Sequence, residues 1–125
     1  MGQFDEIRKR LPVDANVTRL TSAEVDALRQ KDPRLPQDYL AFLAMVGFGD
    51  LGELQLHSGP STAASFYSPT LKHLEHVVVF GDDKQGYCFG FDRSNGYRVV
   101  EISPSGEVDL GVESDFTRLL EGYFR

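Results

Sequence analysis

The sequence predicts an α+β domain in which helices come first, an antiparallel meander follows and a helix closes the chain. Three observations carry this. Residues 77–92 read VVVFGDDKQGYCFGFD, two β-branched and aromatic runs joined by an acidic turn that Gly81 and Gly86 bound. Asn95-Gly96 and Ser103-Pro104-Ser105-Gly106 mark further turns at short spacing, so strand follows strand with no room for a helical crossover. Apolar residues recur at helical spacing before and after this region, which separates helices from strands along the chain.

Taken in order, Phe4, Ile7 and Leu11 stand at i, i+3 and i+7 and predict a short docking helix within residues 1–12, ending before Pro12. Thr21 and Glu24 have capping-box spacing, so residues 22–31 are expected to be helical with Val25 and Leu28 inward, stopped by Asp32-Pro33. Pro36 suits the first position of a third helix, where its missing N–H has no partner to lose. Tyr39, Leu40, Phe42, Leu43 and Val46 give that helix a broad apolar face, and Gly47 suits its C-terminal stop. Residues 51–56, LGELQL, alternate like a half-exposed strand, and residues 57–70, HSGPSTAASFYSPT, read as a long surface loop. After the acidic turn a strand returns at Tyr87. Tyr87, Phe89 and Phe91 would line one face, and Cys88 and Gly90 would leave the other small enough for a helix or a partner to approach. Strands are expected at 97–102 and 107–112. Ser114 can cap a last helix carrying Phe116, Leu119, Leu120 and Tyr123 on one side.

A chain of 125 residues with 41% apolar and 26% charged residues suits one domain, 1–125, with a single core. No apolar run approaches the roughly 20 residues that span a bilayer, and the opening MGQFDEIRKRL mixes charges of both signs, so a cytoplasmic protein is expected. The sixth residue, Glu6, is not the Ser or Thr of a myristoylation signal. A net charge of −6 and a pI near 4.9 argue against direct binding of nucleic acid, whose counterions Lys and Arg would have to replace, and suit a basic partner better. Cys88 has no second cysteine and reads as a small core hydrophobe.

Residues that might carry chemistry do not stand in the patterns that chemistry needs. Gly47-Phe48-Gly49-Asp50-Leu51-Gly52 satisfies G-x-G-x-x-G, but a helix leads into it and a strand follows, the reverse of a dinucleotide site, so a helix stop and a turn are expected there. His73 and His76 at i, i+3 have no second ligand pair, and His57 lies in another segment. Asp82, Asp83 and Asp92 lack the Glu that closes a calcium loop at its twelfth position. With no nucleophile elbow, P-loop or Cys–His pair, no catalytic residue, metal or cofactor is expected. Binding is the better reading. Asp50, Glu53, Asp82 and Asp83 stand in glycine-flanked loops, and Tyr67 and Tyr87 are rings with polar tips suited to a partly wet interface.

Four segments fall in a telling order: Leu35-Pro36-Gln37-Asp38-Tyr39, Gly47-Phe48-Gly49, Phe80-Gly81-Asp82-Asp83 through Phe91-Asp92, and Asp115-Phe116 with Leu119-Leu120. Together they resemble the SUKH superfamily, which includes fungal Smi/Knr regulators of cell-wall synthesis and many bacterial immunity proteins that neutralise polymorphic toxins. The resemblance covers residues 22–123. A Trp common before the first motif is missing here. The resemblance implies an α+β fold, no catalytic machinery common to the family, and action by binding another protein, here a toxin domain of basic charge. The second reading is a regulatory or scaffolding protein without a toxin; the third is a small hydrolase or metal-dependent enzyme.

Overall fold

Seven strands join the sheet in the order in which they occur in the chain. In the computed structural model, which describes residues 4–109 and 115–124, these are β1 (Asn16–Thr18), β2 (Phe48–Asp50), β3 (Gln55–Thr62), β4 (Val77–Asp82), β5 (Cys88–Asp92), β6 (Arg98–Ile102) and β7 (Val108–Asp109). Their order is β1-β2-β3-β4-β5-β6-β7, and each neighbouring pair is antiparallel. The four helices among the described residues are α1 (Asp5–Lys9), α2 (Ser22–Lys31), α3 (Gln37–Met45) and α4 (Phe116–Tyr123). The expected α+β meander is therefore present in a single domain, and it begins earlier in the chain than residue 77.

Local chemistry places most of these elements where the sequence puts them. The Thr21 hydroxyl accepts from the Glu24 N–H at 3.2 Å and the Glu24 carboxylate accepts from the Thr21 N–H at 2.9 Å, a complete capping box that starts α2. Pro36 sits one residue before α3, at its N-cap. Gly47, at φ 124°, donates to the Phe42 carbonyl at 2.9 Å as α3 stops.

Four expectations change. Residues 51–56 are not one strand: the Leu51 N–H bonds the Leu54 carbonyl at 2.9 Å, turning the chain between β2 and β3. Residues 57–62 are not loop but the rest of β3, whose ladder with β4 is interrupted between Leu56 and Ser61. Pro60 has no N–H to offer that ladder, which suits the interruption and gives the segment its loop-like composition. Tyr97 does not open β6; it takes φ 58° in the turn before it. The helix α4 is capped by Asp115, whose carboxylate accepts the Arg118 N–H at 2.9 Å; Ser114 and residues 110–112 lie outside the described residues.

The sheet has two buried sides. On one, Leu56, Phe80, Phe89, Phe91 and Val99 pack against Phe4, Tyr39, Phe42, Phe116 and Leu120. Tyr39 is the hub, with ring centroids 5.1 Å from Phe91, 5.3 Å from Phe116 and 5.6 Å from Phe80. Phe4 docks α1 edge-to-face on Phe42 at 5.1 Å. On the other side Val77, Val79, Cys88, Val100 and Ile102 lie under Ala63 and Leu74, with Tyr67 and Leu71 beside them. The small face at Cys88 and Gly90 is thus covered by the β3–β4 connection, whose two short 3-10 helices, Ala63–Ser65 and Lys72–Leu74, bring Ala63 and Leu74 onto it. A Cβ on Gly90 would come within 2.7 Å of Val77 Cγ1.

The Tyr39 hydroxyl has no hydrogen-bond partner among the described residues, although the side chain is fully buried, and burial pushes its phenol far above the ordinary value. An unpaired buried hydroxyl costs desolvation with no return. Tyr39→Phe is therefore expected to raise stability by about 1 kcal/mol, whereas Phe42→Ala, at an equally buried ring, is expected to cost ~3–5 kcal/mol. Urea titrations of both variants measure the contrast; a destabilised Tyr39→Phe would mean that the hydroxyl is bonded.

Candidate functional site

A meander sends alternate turns to the same end of its sheet. Residues 51–54, 83–87 and 103–107, which join β2 to β3, β4 to β5 and β6 to β7, accordingly lie together, and they carry or flank most of the carboxylates singled out in the sequence. One row of register partners crosses the sheet there: Asp50, Gln55, Asp82, Cys88, Ile102 and Val108. Asp82 joins this row because the register of β4 on β5 shifts between Val79 and Gly81. The extra residue reverses the alternation, so Phe80 faces the helices while Asp82 stands on the side of Cys88.

Around Asp82 the structure assembles a group that spans three strands. The His57 Nε2 lies 2.9 Å from Asp82 Oδ2, and its ring stacks on Phe66 with centroids 5.5 Å apart. Asp82 Oδ1 accepts the Lys84 N–H at 2.9 Å, and the Lys84 ammonium reaches across to Asp50 Oδ1. That ammonium, together with the Gly52 N–H, holds the Asp50 carboxyl below the usual range. Lys84 itself takes φ 66°, a conformation that the two carboxylates bracketing it help to hold. Asp83 works within the turn, its Oδ1 accepting from Gln85 N–H at 2.8 Å and Tyr87 N–H at 3.1 Å. The carboxylates of Asp82 and Asp83 thus order the turn as well as charging it.

The other side of the same end is acidic as well. Glu101 and Asp109 are direct register partners on β6 and β7, a like-charge pairing that a sheet does not favour. Partial burial, then the neighbouring Asp109 and Asp83, push the Glu101 carboxyl up. Tyr123 on α4 is pushed up by burial first and then by the negative charge of Asp83, Glu101 and Glu53. Glu53 is exposed at the tip of the first turn.

Of the six residues expected to bind a partner, Asp50, Glu53, Asp82, Asp83 and Tyr87 come to this end, and Tyr87 is 39% exposed. Tyr67 has a different place: its hydroxyl donates to the Ile102 carbonyl at 3.2 Å and its ring packs on the second core, so it clamps the β3–β4 connection to the sheet. The exposed ring of that connection is its neighbour Phe66, 47% exposed. His57, Phe66, Lys84, Glu101 and Asp109 were not singled out in the sequence. The Glu101–Asp109 pairing was accessible by counting outward from the turn at Ser103–Gly106; the His57–Asp82 contact was hidden by two register shifts.

Cys88 is buried and burial pushes its thiol up, away from the reactive thiolate. Among the described residues no three His, Cys, Asp or Glu side chains converge to hold a metal, and no helix is long and apolar enough to cross a membrane. Comparison of the chain with protein-family models, curated proteins and solved structures returns no match.

The Glu101 pairing has a pH signature. A carboxyl whose folded pKa is raised favours folding below its unperturbed value of 4.5 and loses that contribution as pH rises through the folded value. Glu101→Gln is expected to raise the melting temperature near neutral pH, with the gain disappearing below 4.5. Thermal melts of both proteins across that range check the sign; a gain that persists in acid would show packing, not charge, at work.

Proposed function

We propose that this chain is a SUKH-type protein-binding module, acting as an immunity protein that neutralises a toxin by covering it, with the acidic end of the meander meeting a basic surface of the toxin. The observation that carries this reading is the register, which brings Asp50, Glu53, Asp82, Asp83, Glu101 and Asp109 to one end of the sheet. Glu101, pushed up by burial and then by Asp109 opposite it, is costly to ionise in the free protein. A Lys or Arg of a partner placed between them offsets that cost, so the same residues strengthen the complex. Phe66 and Tyr87 supply exposed aromatic surface near these charges.

Support for the family resemblance comes from packing. Tyr39, Phe80, Phe91 and Phe116 belong to three of the separate segments that suggested it, and their rings meet in one cluster. Such a meeting of separate segments in one core is what the resemblance requires. The proposal carries a cytoplasmic location with it, and a mechanism that is steric and electrostatic with no bond made or broken.

The variant to test is not the reversal of Asp82 and Asp83, because their carboxylates bond the turn backbone and their loss would disturb it. Glu53 and Glu107 are exposed in the first and third turns. Glu53→Lys with Glu107→Lys is expected to slow association with a toxin domain encoded beside this chain by about tenfold at low salt, leaving the melting curve unchanged. Raising the salt should slow the wild type towards the variant, since screening lengths fall to about 8 Å at physiological ionic strength. Stopped-flow or surface-resonance kinetics read this out. Equal association rates for the two proteins at every salt concentration would sink the acidic-end reading.

A further inference from the structure

The opposite end of the sheet has the opposite character. There the C-terminal end of α2 and the residues after it meet the β5–β6 turn, and a cavity of about 510 Å³ is lined by Lys31, Asp32, Arg34, His76, Arg93 and Tyr97 among others. The lining holds three cations, Lys31, Arg34 and Arg93, and one carboxylate, Asp32, a surplus of two positive charges among these four residues in a chain whose net charge is −6. Overall composition therefore does not account for the cations gathering here.

The cavity is also ordered in advance. Tyr97 occupies φ 58°, a strained conformation for a bulky residue, and its hydroxyl donates to Asp32 Oδ1 at 2.6 Å while accepting from Arg93 Nε at 3.4 Å. Asp32 Oδ1 also accepts the Arg34 N–H at 3.4 Å, and Asp32 Oδ2 lies 4.0 Å from Arg93 Nε. The Arg93 N–H is held by the His76 carbonyl at 2.8 Å. These side-chain contacts of Arg93 use Nε, so both its Nη groups remain as donors. A second cavity of about 370 Å³ adjoins, sharing Lys31, Asp32 and Arg93 but walled by Leu28, Leu35, Pro60 and Val78. One compartment is cationic and the next is apolar.

We infer that these joined cavities bind a small organic phosphate: the phosphate on Lys31, Arg34 and Arg93, and an apolar or aromatic body against Leu28, Leu35, Pro60 and Val78. A surplus of two positive charges matches a phosphate monoester near neutrality better than a carboxylate, and a fixed guanidinium offers it two parallel N–H donors. The combined space suits a ligand of metabolite size. The site is unrelated to the glycine motif at Gly47, and it binds reversibly, as a ligand and not as a resident cofactor.

Amide chemical-shift titration tests this on the full chain with three probes: phenyl phosphate, inorganic phosphate and benzyl alcohol. Phenyl phosphate should give saturable shifts at Arg34, Arg93, Ser94 and Val78, and bind about tenfold more tightly than inorganic phosphate because only it fills the apolar compartment. Lys31→Ala with Arg34→Ala, both exposed, should weaken phenyl phosphate by at least about tenfold with the remaining spectrum unchanged. Three results would overturn the inference: no saturation with phenyl phosphate, equal affinity for phosphate and phenyl phosphate, or equal affinity in wild type and variant. Benzyl alcohol binding as well as phenyl phosphate would likewise remove the phosphate from the argument. None of these outcomes bears on the toxin contact, which is read with a different partner at the other end.

Discussion

The extra residue in β4 at Phe80-Gly81 is the constraint on which both sides of this sheet depend. A regular strand would put residues 78, 80 and 82 on one face, so that Asp82 would enter the aromatic core beside Phe80. The register shift between Val79 and Gly81 prevents this, keeping Phe80 under the helices and sending Asp82 out beside Gln55 and Cys88. Gly81 permits it. A Cβ there would come within 2.7 Å of the Gln55 carbonyl oxygen, a backbone atom of a central strand that has no freedom to move away. Burying a carboxylate with no partner among Tyr39, Phe91 and Phe116 would cost several kcal/mol, more than an interrupted ladder does.

From that one irregularity follow the geometry of the core and of the acidic end together. Phe80 stacks on Phe91 at 4.4 Å and meets Phe116 at 5.6 Å, which ties α4 and α3 to the centre of the sheet. Two residues later the same strand supplies the acceptor for His57 and for the Lys84 backbone. Stability and surface charge are thus set by adjacent residues pointing to opposite sides. The carboxylates of this end fall into two kinds. Asp50, Asp82 and Asp83 are bonded to Lys84, His57 and turn N–H groups, so their charge is largely spent inside the molecule. Glu101 is of the second kind: burial, then Asp109 and Asp83, push its carboxyl up, so an incoming cation would change its energy most.

Helix caps, helix faces and the strands from Val77 onward were legible in the sequence because each rests on a local rule. Thr21-x-x-Glu24 needs no tertiary partner to form its box, and Gly96, at φ 66°, supplies the left-handed backbone that the turn before β6 requires. What escaped is non-local. The strands β1 and β2 are each three residues long, too short for alternation to show, and exist because Val17 pairs with Gly49 across the intervening helices. Residues 57–62 have the composition of a loop yet continue β3, since pairing at its two ends suffices to hold an irregular middle. Of the candidate site, the acidic turn was readable from Asp82 and Asp83. That Phe66, and not Tyr67, is the more exposed ring of the pair was not readable, because adjacent aromatic residues in an apparent loop give no sign of which one turns inward.

An end-to-end division of charge is a natural product of this topology. In a meander the first, third and fifth turns share one end and the others share the opposite end, so a sequence can charge the two ends independently by choosing turn residues alone. Here one set of turns carries Glu53, Asp83 and Glu107, and the other brings Arg93 beside Lys31 and Arg34. The charged residues themselves stay out of the aromatic core between them, although Leu51 and Leu54 at one end and Tyr97 at the other anchor the turns to it. The consequence is that the surface charge of the two ends can vary while the fold stays fixed. A module whose partner changes from one chain to another would need that separation, and the residues that strain its turns, Lys84 and Tyr97, sit one at each end, where the sheet meets its surroundings.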